Sequence, residues 1–247
     1  MSLPDARRMY RVSEATWPPR EAVEAGPWTL RDGAGGGKRV SAATQRAAFD
    51  AADDLPAAED AMRILGQDPL FMIRQGDEAL DAELAARGYQ VIDPVRILVC
   101  PIAQLTDVPV PLVTAFTVWE PLAIMVDLWQ EAGIGEARLR VMNRAKGPKT
   151  GLFGRIKDSP AGVGFCAIHD GVAMVHALEV SPRYRGLGLG AWLMRAAAHW
   201  AADWDAEWMA VLCTKANTGG TAFYNALGMR SVGDYHYRIL PKGDPKT

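Results

Sequence analysis

One glycine-rich run, placed between a strand pattern and a helix pattern, most constrains what this chain can fold into. It occupies Ser181–Ala191 and reads SPRYRGLGLGA. The preceding segment, Val172–Val180, is mostly apolar, as expected of a buried strand, and Leu189, Leu193 and Ala196 then recur at helical spacing. Glycines at the start of a helix leave its first amide groups open to an anion, so this run predicts a seat for a phosphate group.

The residues around the glycines distinguish among three kinds of phosphate-binding loop. A P-loop is excluded because no Lys followed by Ser or Thr comes after these glycines, and a second glycine run, Gly33–Lys38, has Arg39 at the Ser/Thr position. A dinucleotide-binding fingerprint fits Gly186, Gly188 and Ala191 in spacing. That fold needs an acidic residue at the end of the next strand, whereas here the acidic residues precede the strand. Nicotinamide-dependent chemistry is therefore disfavoured.

The remaining pattern is an arginine, two residues, a glycine, one residue and a glycine, over Arg185–Gly190. It resembles the acyl-CoA signature of the GNAT superfamily of N-acetyltransferases. The resemblance continues in the strand Val211–Cys213, in Asn217, and in the helix end Ala222–Met229, whose last residue is methionine where the family usually has an aromatic. Three ordered matches are more specific than one glycine loop. Together they span about Leu112–Leu240.

The resemblance implies an α/β fold with a mixed sheet, the GNAT acyl-CoA N-acyltransferase fold. A candidate internal repeat extends this resemblance. Gly88 and Gly228, which are 140 positions apart, each end a helix pattern that is followed by a strand pattern. Although the order of helix, glycine and strand is common, this repeat makes the chain resemble tandem acetyltransferases with a degenerate N-terminal half. We therefore expect a GNAT-like domain without the acyl-CoA loop over 1–105, a linker at Gln104–Pro111, and a catalytic domain over 112–247.

Periodicity and turn residues predict the remaining elements. Helices are expected near the N-terminus, over Leu55–Leu65, from Asp77 to Gly88, over Trp119–Gln130, and over Glu136–Arg144. Strands are expected at Trp28–Arg31, Lys38–Ser41, Leu70–Ile73, Tyr89–Cys100, Thr150–Ile156, Gly162–His169, Val172–Val180 and Trp208–Cys213, with a final hairpin.

Acyl transfer to an amine needs a group that accepts the ammonium proton. His176 is the first candidate, because an imidazole is mostly neutral at pH 7. The sequence around it is also similar to that of arylalkylamine N-acetyltransferases, in which a histidine at this strand position takes part in proton removal. The alternative is a core histidine satisfied by a neighbouring carbonyl. Glu179 is expected on the opposite face of the strand and is either a second base candidate or a structural partner of a basic side chain.

The departing thiolate needs a proton donor, and Tyr224 occupies the position at which the family has its general acid. A phenol with a pKa of about 10 is protonated at neutral pH and can donate to a thiolate. The alternative role of Tyr224 is packing beside Phe223.

The resemblance also implies the contacts to the acyl donor. Main-chain groups of Leu178 and Val180 would pair with the pantetheine like an added strand. Asn217 would bind the pantetheine or cap a helix. The pyrophosphate seat would comprise Arg185, Gly186, Leu187, Gly188, Leu189, Gly190 and Ala191.

Composition narrows the setting of this chemistry. The net charge of −2 does not favour binding to nucleic acid. The most apolar stretch is interrupted by charged residues and a proline, which disfavours a membrane span. The three cysteines lack metal-ligand spacing and are expected as thiols in a reducing cytosol. The resemblance implies an acyl-CoA-dependent N-acyltransferase that uses acetyl-CoA, and together with the composition it leads us to expect a cytoplasmic enzyme that uses no metal. Its acceptor would be a small-molecule or peptide amine, and a non-catalytic acyl-CoA-binding or regulatory module is the alternative. The sequence defines neither the acceptor nor the oligomeric state.

Overall fold

The structure is a computed structural model that describes residues 2–241, and it divides the chain into two compact units. Unit 1 contains the chain up to Pro18 together with Ile97–Cys213 and Asn217–Val232. Unit 2 contains Pro19–Arg96, Thr214–Ala216 and the chain from Gly233 onward. This division differs from the expected 1–105 and 112–247 at both ends of the chain. The N-terminal helix packs in unit 1, and the C-terminal strand pairs in unit 2, so each unit is built from non-contiguous segments.

The elements are as follows. The helices are α1 (Ala6–Thr16), α2 (Lys38–Ser41), α3 (Asp54–Ile64), α4 (Glu78–Ala86), α5 (Ala123–Glu131), α6 (Glu136–Arg144), α7 (Leu189–Ala202) and α8 (Thr218–Ala226). The strands are β1 (Glu21–Ala25), β2 (Trp28–Asp32), β3 (Thr44–Gln45), β4 (Leu70–Ile73), β5 (Gln90–Pro101), β6 (Ala115–Val118), β7 (Lys149–Ile156), β8 (Ser159–His169), β9 (Val172–Val180), β10 (Trp208–Thr214) and β11 (Arg230–Ile239).

The sequence patterns predicted most elements to within a few residues of their bounds, and β4, α6 and β9 match residue for residue. Three predictions are wrong. Residues 38–41 form a short helix rather than a strand, and the expected final hairpin is the single strand β11. Helix α5 begins at Ala123 rather than Trp119, because Pro121 disfavours helical geometry at the residue before it. The strands β1, β3 and β6 were not predicted.

Unit 1 is built on a mixed sheet in the order β5, β10, β9, β8, β7, β6, to which β5 contributes from Ile97 onward. The strands β6 to β9 pair antiparallel in sequence, and β9 pairs parallel with β10. Helix α7 packs on one face, where Leu189 and Leu193 join the main core with Leu152 and Val175. Helices α1 and α5 contact β8 and β9. Phe165 on β8 lies beside Trp17, the residue that follows the end of α1.

Glycines in the sheet allow α7 to lie close to it. A Cβ added to Gly162 would be 3.0 Å from the Glu179 carbonyl oxygen and 3.1 Å from a Leu193 methyl carbon. A Cβ at Gly154 would be 3.0 Å from Leu189. Side chains at these positions would push the helix off the strands, so the position of the helix start, where the glycine-rich run lies, depends on them.

Unit 2 has its own apolar core, with Trp28, Phe71 and Leu84 among its buried side chains. The strands β1, β2 and β3 form one sheet. Beside it, β11 pairs antiparallel with β4 and lies between β4 and the first part of β5. Within residues 2–241, no helix has both the length and the apolar character that a membrane crossing requires.

Candidate active site

The parallel strands β9 and β10 separate before they end. Their pairing runs from Val172 opposite Trp208 to Val175 opposite Val211. Both strands continue beyond that point, β9 to Val180 and β10 to Thr214. The gap leaves the edge of β9 at Leu178 without a strand partner, so a ligand can pair there like an extra strand. Val180 lies in the same stretch, but its carbonyl accepts a hydrogen bond from Arg185.

A β-bulge interrupts β9 where the gap begins. On β8, Val163 and Phe165 are two residues apart, but their partners on β9, Glu179 and His176, are three apart. Ala177 takes the extra position with φ of +49°. Because Val163 and Phe165 share a face of β8, Glu179 and His176 share a face of β9. The expectation that these two side chains lie on opposite faces is therefore wrong, since strict alternation does not hold across a bulge.

His176 lies in an enclosed aromatic environment. Its side chain is buried, with the residue 5% exposed, and its ring stands 5.0 Å from Trp17 and 6.2 Å from Phe165. Nε2 lies 2.9 Å from Oγ1 of Thr16, whose hydroxyl donates to the Val12 carbonyl at 2.7 Å. With that hydroxyl proton engaged, the Thr16 oxygen accepts from Nε2–H of His176. This contact matches the alternative prediction for His176, a core histidine whose ring nitrogen has a hydrogen-bond partner. The partner is a threonine hydroxyl and not the expected carbonyl.

Glu179 is the more accessible of the two base candidates. Its side chain is 36% exposed and lines a cavity of about 370 Å³ on the α5 face of the sheet. Burial raises the pKa of this carboxyl, and the Arg185 guanidinium, 3.9 Å away, opposes that rise. Leu128 and Glu131 line the same cavity from α5. A carboxylate with a raised pKa at a cavity wall is suited to accept a proton from a ligand.

The glycine-rich run forms a loop at the start of α7. Gly186 has φ of +76° and Gly188, the N-cap of α7, has φ of +80°, so both adopt the left-handed conformation that favours glycine. No atom lies within 4 Å of a Cβ built on either residue. Across the described chain, the backbone hydrogen bonds include none donated by amides of residues 186–190. The loop thus presents open amides and space at a positive helix end.

Arg185 fixes the other end of this loop. Its Nε donates to the Val180 carbonyl oxygen at 3.0 Å, which ties the loop to the end of β9. The arginine is otherwise exposed and lies beside the glycine-rich loop. A ligand at the loop would therefore meet Arg185, while the carbonyl of Val180 is already engaged.

Tyr224 projects from α8 against the core of unit 1. It is half-buried and packs with Phe223, the ring centroids being 4.9 Å apart. Gly190 allows this helix to approach, because its missing Cβ would be 3.2 Å from Phe223. Burial raises the pKa of the Tyr224 phenol well above its usual range, and the nearby groups of Cys213 and Glu179 raise it further. The phenol is therefore a proton donor at every physiological pH.

Asn217 caps α8. Its Oδ1 accepts a hydrogen bond from the Gly220 amide at 2.8 Å. This is the helix-capping role considered from the sequence, and because the residue is exposed it remains accessible to a ligand as well.

The sequence did not predict several of the contacts at the site. Thr16 and Trp17 reach His176 from the N-terminal helix, far away in the chain. Trp129 is fully buried, and its indole Nε1 donates to the bulge carbonyl of Ala177 at 2.9 Å. Glu131 had no distinguishing pattern. The position of a tryptophan in an amphipathic helix predicts that its ring is buried, but it does not predict which group accepts the hydrogen bond of its indole N–H.

No candidate metal site of three or more His, Cys, Asp or Glu side chains occurs within residues 2–241. The groups that the structure places near the end of the β9–β10 pairing are open amides, one guanidinium, a carboxylate and a phenol.

Residues 116–229 match the family model described as acetyltransferase (GNAT) family. The chain is 27% identical to the uncharacterized N-acetyltransferase YobR of Bacillus subtilis (strain 168), over 95% of this chain and 98% of that protein.

Solved structures give the same picture of the fold. A GCN5-related N-acetyltransferase from Kribbella flavida superposes with a TM-score of 0.72 at 20% identity, over 98% of both chains. A tandem GNAT protein from the clavulanic acid biosynthesis pathway superposes with a TM-score of 0.60 at 16% identity, over 94% of this chain and 87% of that one. These similarities confirm the expected fold class, a mixed α/β fold of the GNAT type.

Proposed function

We propose that the protein transfers the acetyl group of acetyl-CoA to a primary amine by direct attack in a ternary complex, a proposal supported by the match of residues 116–229 to the acetyltransferase (GNAT) family model. The acceptor is a small-molecule or peptide amine. The observation that carries the proposal is the meeting of a glycine loop, a carboxylate and a phenol at the point where β9 and β10 separate.

The donor side is supported by the fit between the glycine-rich loop and a diphosphate. The amides of residues 186–190 face open space at the start of α7, and Arg185 adds a positive charge. A hydrogen bond to a charged partner contributes roughly 1.5–3 kcal/mol, so a few such amides can hold a diphosphate. From this seat the pantetheine would follow the open edge of β9 at Leu178, with Asn217 at the opposite side of the gap.

The acceptor side is supported by the cavity on the face opposite α7. Glu179 and Glu131 supply carboxylates to its wall, and Leu128 and Val163 supply apolar surface. The cavity lies against α5 and reaches Arg185, which also stands beside the donor seat at the start of α7. An acceptor held in the cavity would therefore lie next to the bound donor, as direct transfer requires.

We assign the base to Glu179 rather than His176. Nε2 of His176 donates to Thr16 in a buried setting, whereas the Glu179 carboxylate borders the cavity. Acetyl-CoA supplies a thioester when bound. Glu179 takes a proton from the acceptor ammonium, the neutral amine nitrogen forms a bond to the acyl carbon as the carbon–sulfur bond breaks, and the Tyr224 phenol gives its proton to the departing sulfur. The nitrogen then loses its second proton to give the amide, and the phenolate regains a proton.

The raised pKa of the two groups defines what each can do. A carboxyl whose pKa is raised by burial is a stronger base than an ordinary glutamate, which favours proton removal by Glu179. The high pKa of Tyr224 keeps its proton in place but makes full transfer to a thiolate uphill. Close approach of the phenol to the sulfur must therefore supply the stabilisation, as a hydrogen bond that strengthens while charge develops.

The test combines binding with turnover. Calorimetry with CoA measures whether the loop binds the donor, and a thiol-release assay with acetyl-CoA across a panel of primary amines measures transfer. Glu179→Gln should lower kcat roughly 100- to 10,000-fold and abolish the acidic limb of the pH profile, which in the wild type lies above the range of an ordinary glutamate. Glu136→Gln, which changes an exposed glutamate paired with Arg140, is the matched control and should leave turnover unchanged.

A non-catalytic acyl-CoA-binding module is the alternative. It retains the phosphate seat and predicts CoA binding with no thiol release on any amine. The exposed cavity wall that carries Glu179 favours the enzyme, because a binding module has no use for a base beside the open edge of β9.

A further inference from the structure

The bulge in β9 decides which way Glu179 points. Without the extra residue at Ala177, strict alternation would place Glu179 on the face opposite His176, which is the α7 face. With it, Glu179 shares the face of His176 and lines the cavity against α5. The geometry of the proposed base therefore depends on a single irregular residue.

That irregular residue is not stabilised by the sheet. The pairing of β8 with β9 passes from His176 to Glu179 and omits Ala177 and Leu178. Ala177 also holds φ of +49°, a left-handed conformation that is unfavourable for an L-residue other than glycine. A bulge of this kind persists when its surroundings supply a specific contact that compensates for its cost.

Trp129 provides such a contact. The side chain is fully buried on α5, and its indole Nε1 donates to the Ala177 carbonyl oxygen at 2.9 Å. An indole N–H is a donor only, and a buried one that loses its acceptor is penalised. The hydrogen bond therefore couples the position of α5 to the conformation of the bulge.

We propose that Trp129 is a positioning residue, whose indole N–H holds the Ala177 bulge and thereby directs the Glu179 carboxylate into the acceptor cavity. The inference rests on the proposed function for its catalytic consequence. Trp129 does not touch the reacting atoms; it acts through the backbone of residues 177–179.

The test is Trp129→Phe, which keeps an aromatic ring in the core and removes the N–H. We expect kcat to fall about 10- to 100-fold, as for a base displaced by an ångström, and the acidic limb of the kcat–pH profile to shift. The KM for acetyl-CoA should change less than about twofold, because the loop at α7 is not altered. A purely structural tryptophan would lower thermal stability and leave the kcat and pH profile of the folded protein unchanged.

Two further variants sharpen the result. Trp119→Phe removes another indole that packs on Phe165 but does not bond to the bulge, and it should leave kcat unchanged. Trp129→Phe combined with Ala177→Gly should recover part of the lost kcat, because glycine adopts a positive φ without the cost. Wild-type kcat in Trp129→Phe, or an equal loss in Trp119→Phe, would overturn the proposal.

Amide hydrogen exchange over residues 176–180 separates this proposal from the proposed function. Faster exchange in Trp129→Phe but not in Trp119→Phe supports the hydrogen bond as the restraint on the bulge, and unchanged exchange overturns it. A wild-type protein that acetylates no amine would defeat the proposed function and the catalytic role of Trp129 together. The exchange measurement would then still decide whether Trp129 restrains the bulge.

Discussion

Two segments of the molecule repeat the same strand, helix and strand 140 positions apart, and only one of them carries the candidate site. The first runs from β4 through α4 to β5, and the second from β10 through α8 to β11. Gly88 and Gly228 end the two helices with φ of +84° and +76°. In both, the next amide bonds back to the helix: Tyr89 to the Leu84 carbonyl at 3.0 Å, and Met229 to the Tyr224 carbonyl at 3.1 Å.

The difference lies in the side chains that these backbones present. Leu84, fully buried in the core of unit 2, stands at the position that Tyr224 holds in unit 1. The helix stop needs a glycine in both segments, because only glycine adopts a positive φ freely. The comparison teaches that the two segments share the same helix-ending backbone but present different side chains. The proposed role of Tyr224 as a proton donor would account for the phenol in unit 1, where unit 2 has a core leucine.

The largest expected effect comes from removing that proton donor. Tyr224→Phe should lower kcat roughly 100- to 10,000-fold with little change in acetyl-CoA affinity, since the ring still packs beside Phe223. The measurement is steady-state thiol release together with calorimetry. Leu84→Met, a substitution of similar volume at the repeated position, is the control and should leave kcat unchanged. An unaltered kcat in Tyr224→Phe would remove the phenol from the mechanism.

A second comparison sets the two glycine-rich runs against each other. Arg185→Gln removes the charge beside the loop of unit 1 and should weaken acetyl-CoA binding roughly tenfold to hundredfold, the worth of a charged hydrogen bond. Lys38→Gln removes the charge that follows Gly33–Gly37 in unit 2 and should leave that affinity unchanged. Calorimetric Kd values for both variants check this, and an equal loss in both would contradict the placement of the donor seat in unit 1.

The two helix-ending glycines should differ in what they tolerate. Gly88→Ala should lower the free energy of unfolding by about 1–2 kcal/mol through its positive φ, because nothing lies within 4 Å of the added carbon. Gly228→Ala carries the same cost and also displaces Gln104, whose Nε2 donates to the Leu227 carbonyl at 3.1 Å. We expect an additional loss of about 1 kcal/mol. Denaturant unfolding of the two variants would rank them, and the reverse order would refute the argument.

The smallest effect concerns an ion cluster that belongs to unit 2 alone. Burial would raise the pKa of Asp81, but hydrogen bonds from Arg238 at 2.7 Å and His236 at 2.8 Å outweigh it and lower that pKa. A lowered carboxyl pKa stabilises the fold above the unfolded value of about 3.9, and the stabilisation is lost as pH falls through the folded value.

Asp81→Asn should therefore reduce the free energy of unfolding at pH 7 by about 1 kcal/mol or less, since the group is partly exposed. The difference from the wild type should shrink as pH falls below about 4. Thermal unfolding across pH measures it, and turnover at pH 7 should not change. A deficit that stays constant down to pH 2 would show that the carboxylate charge is not the cause.

Much of the fold followed from local signals. The strand Val172–Val180, the helix Glu136–Arg144 and the turn at Asp170 and Gly171, both with positive φ, are set by apolar runs and turn residues that act over a few positions. Residues 38–41 were predicted as a strand but form a short helix, and the strand Ala115–Val118 was not predicted, because short segments of mixed polarity carry too little periodicity to separate helix from strand. The equally short strand Leu70–Ile73 was predicted because it is apolar throughout.

The candidate site divides in the same way. The sequence by itself determined the glycine-rich loop and the helix that carries Tyr224, because glycines with positive φ and a helix-ending glycine are local requirements of the backbone. Only the tertiary structure decided that His176 is enclosed by Thr16 and Trp17, and that Glu179 turns to the cavity. Both outcomes depend on contacts between residues far apart in the chain and on a one-residue bulge, and no local pattern encodes either.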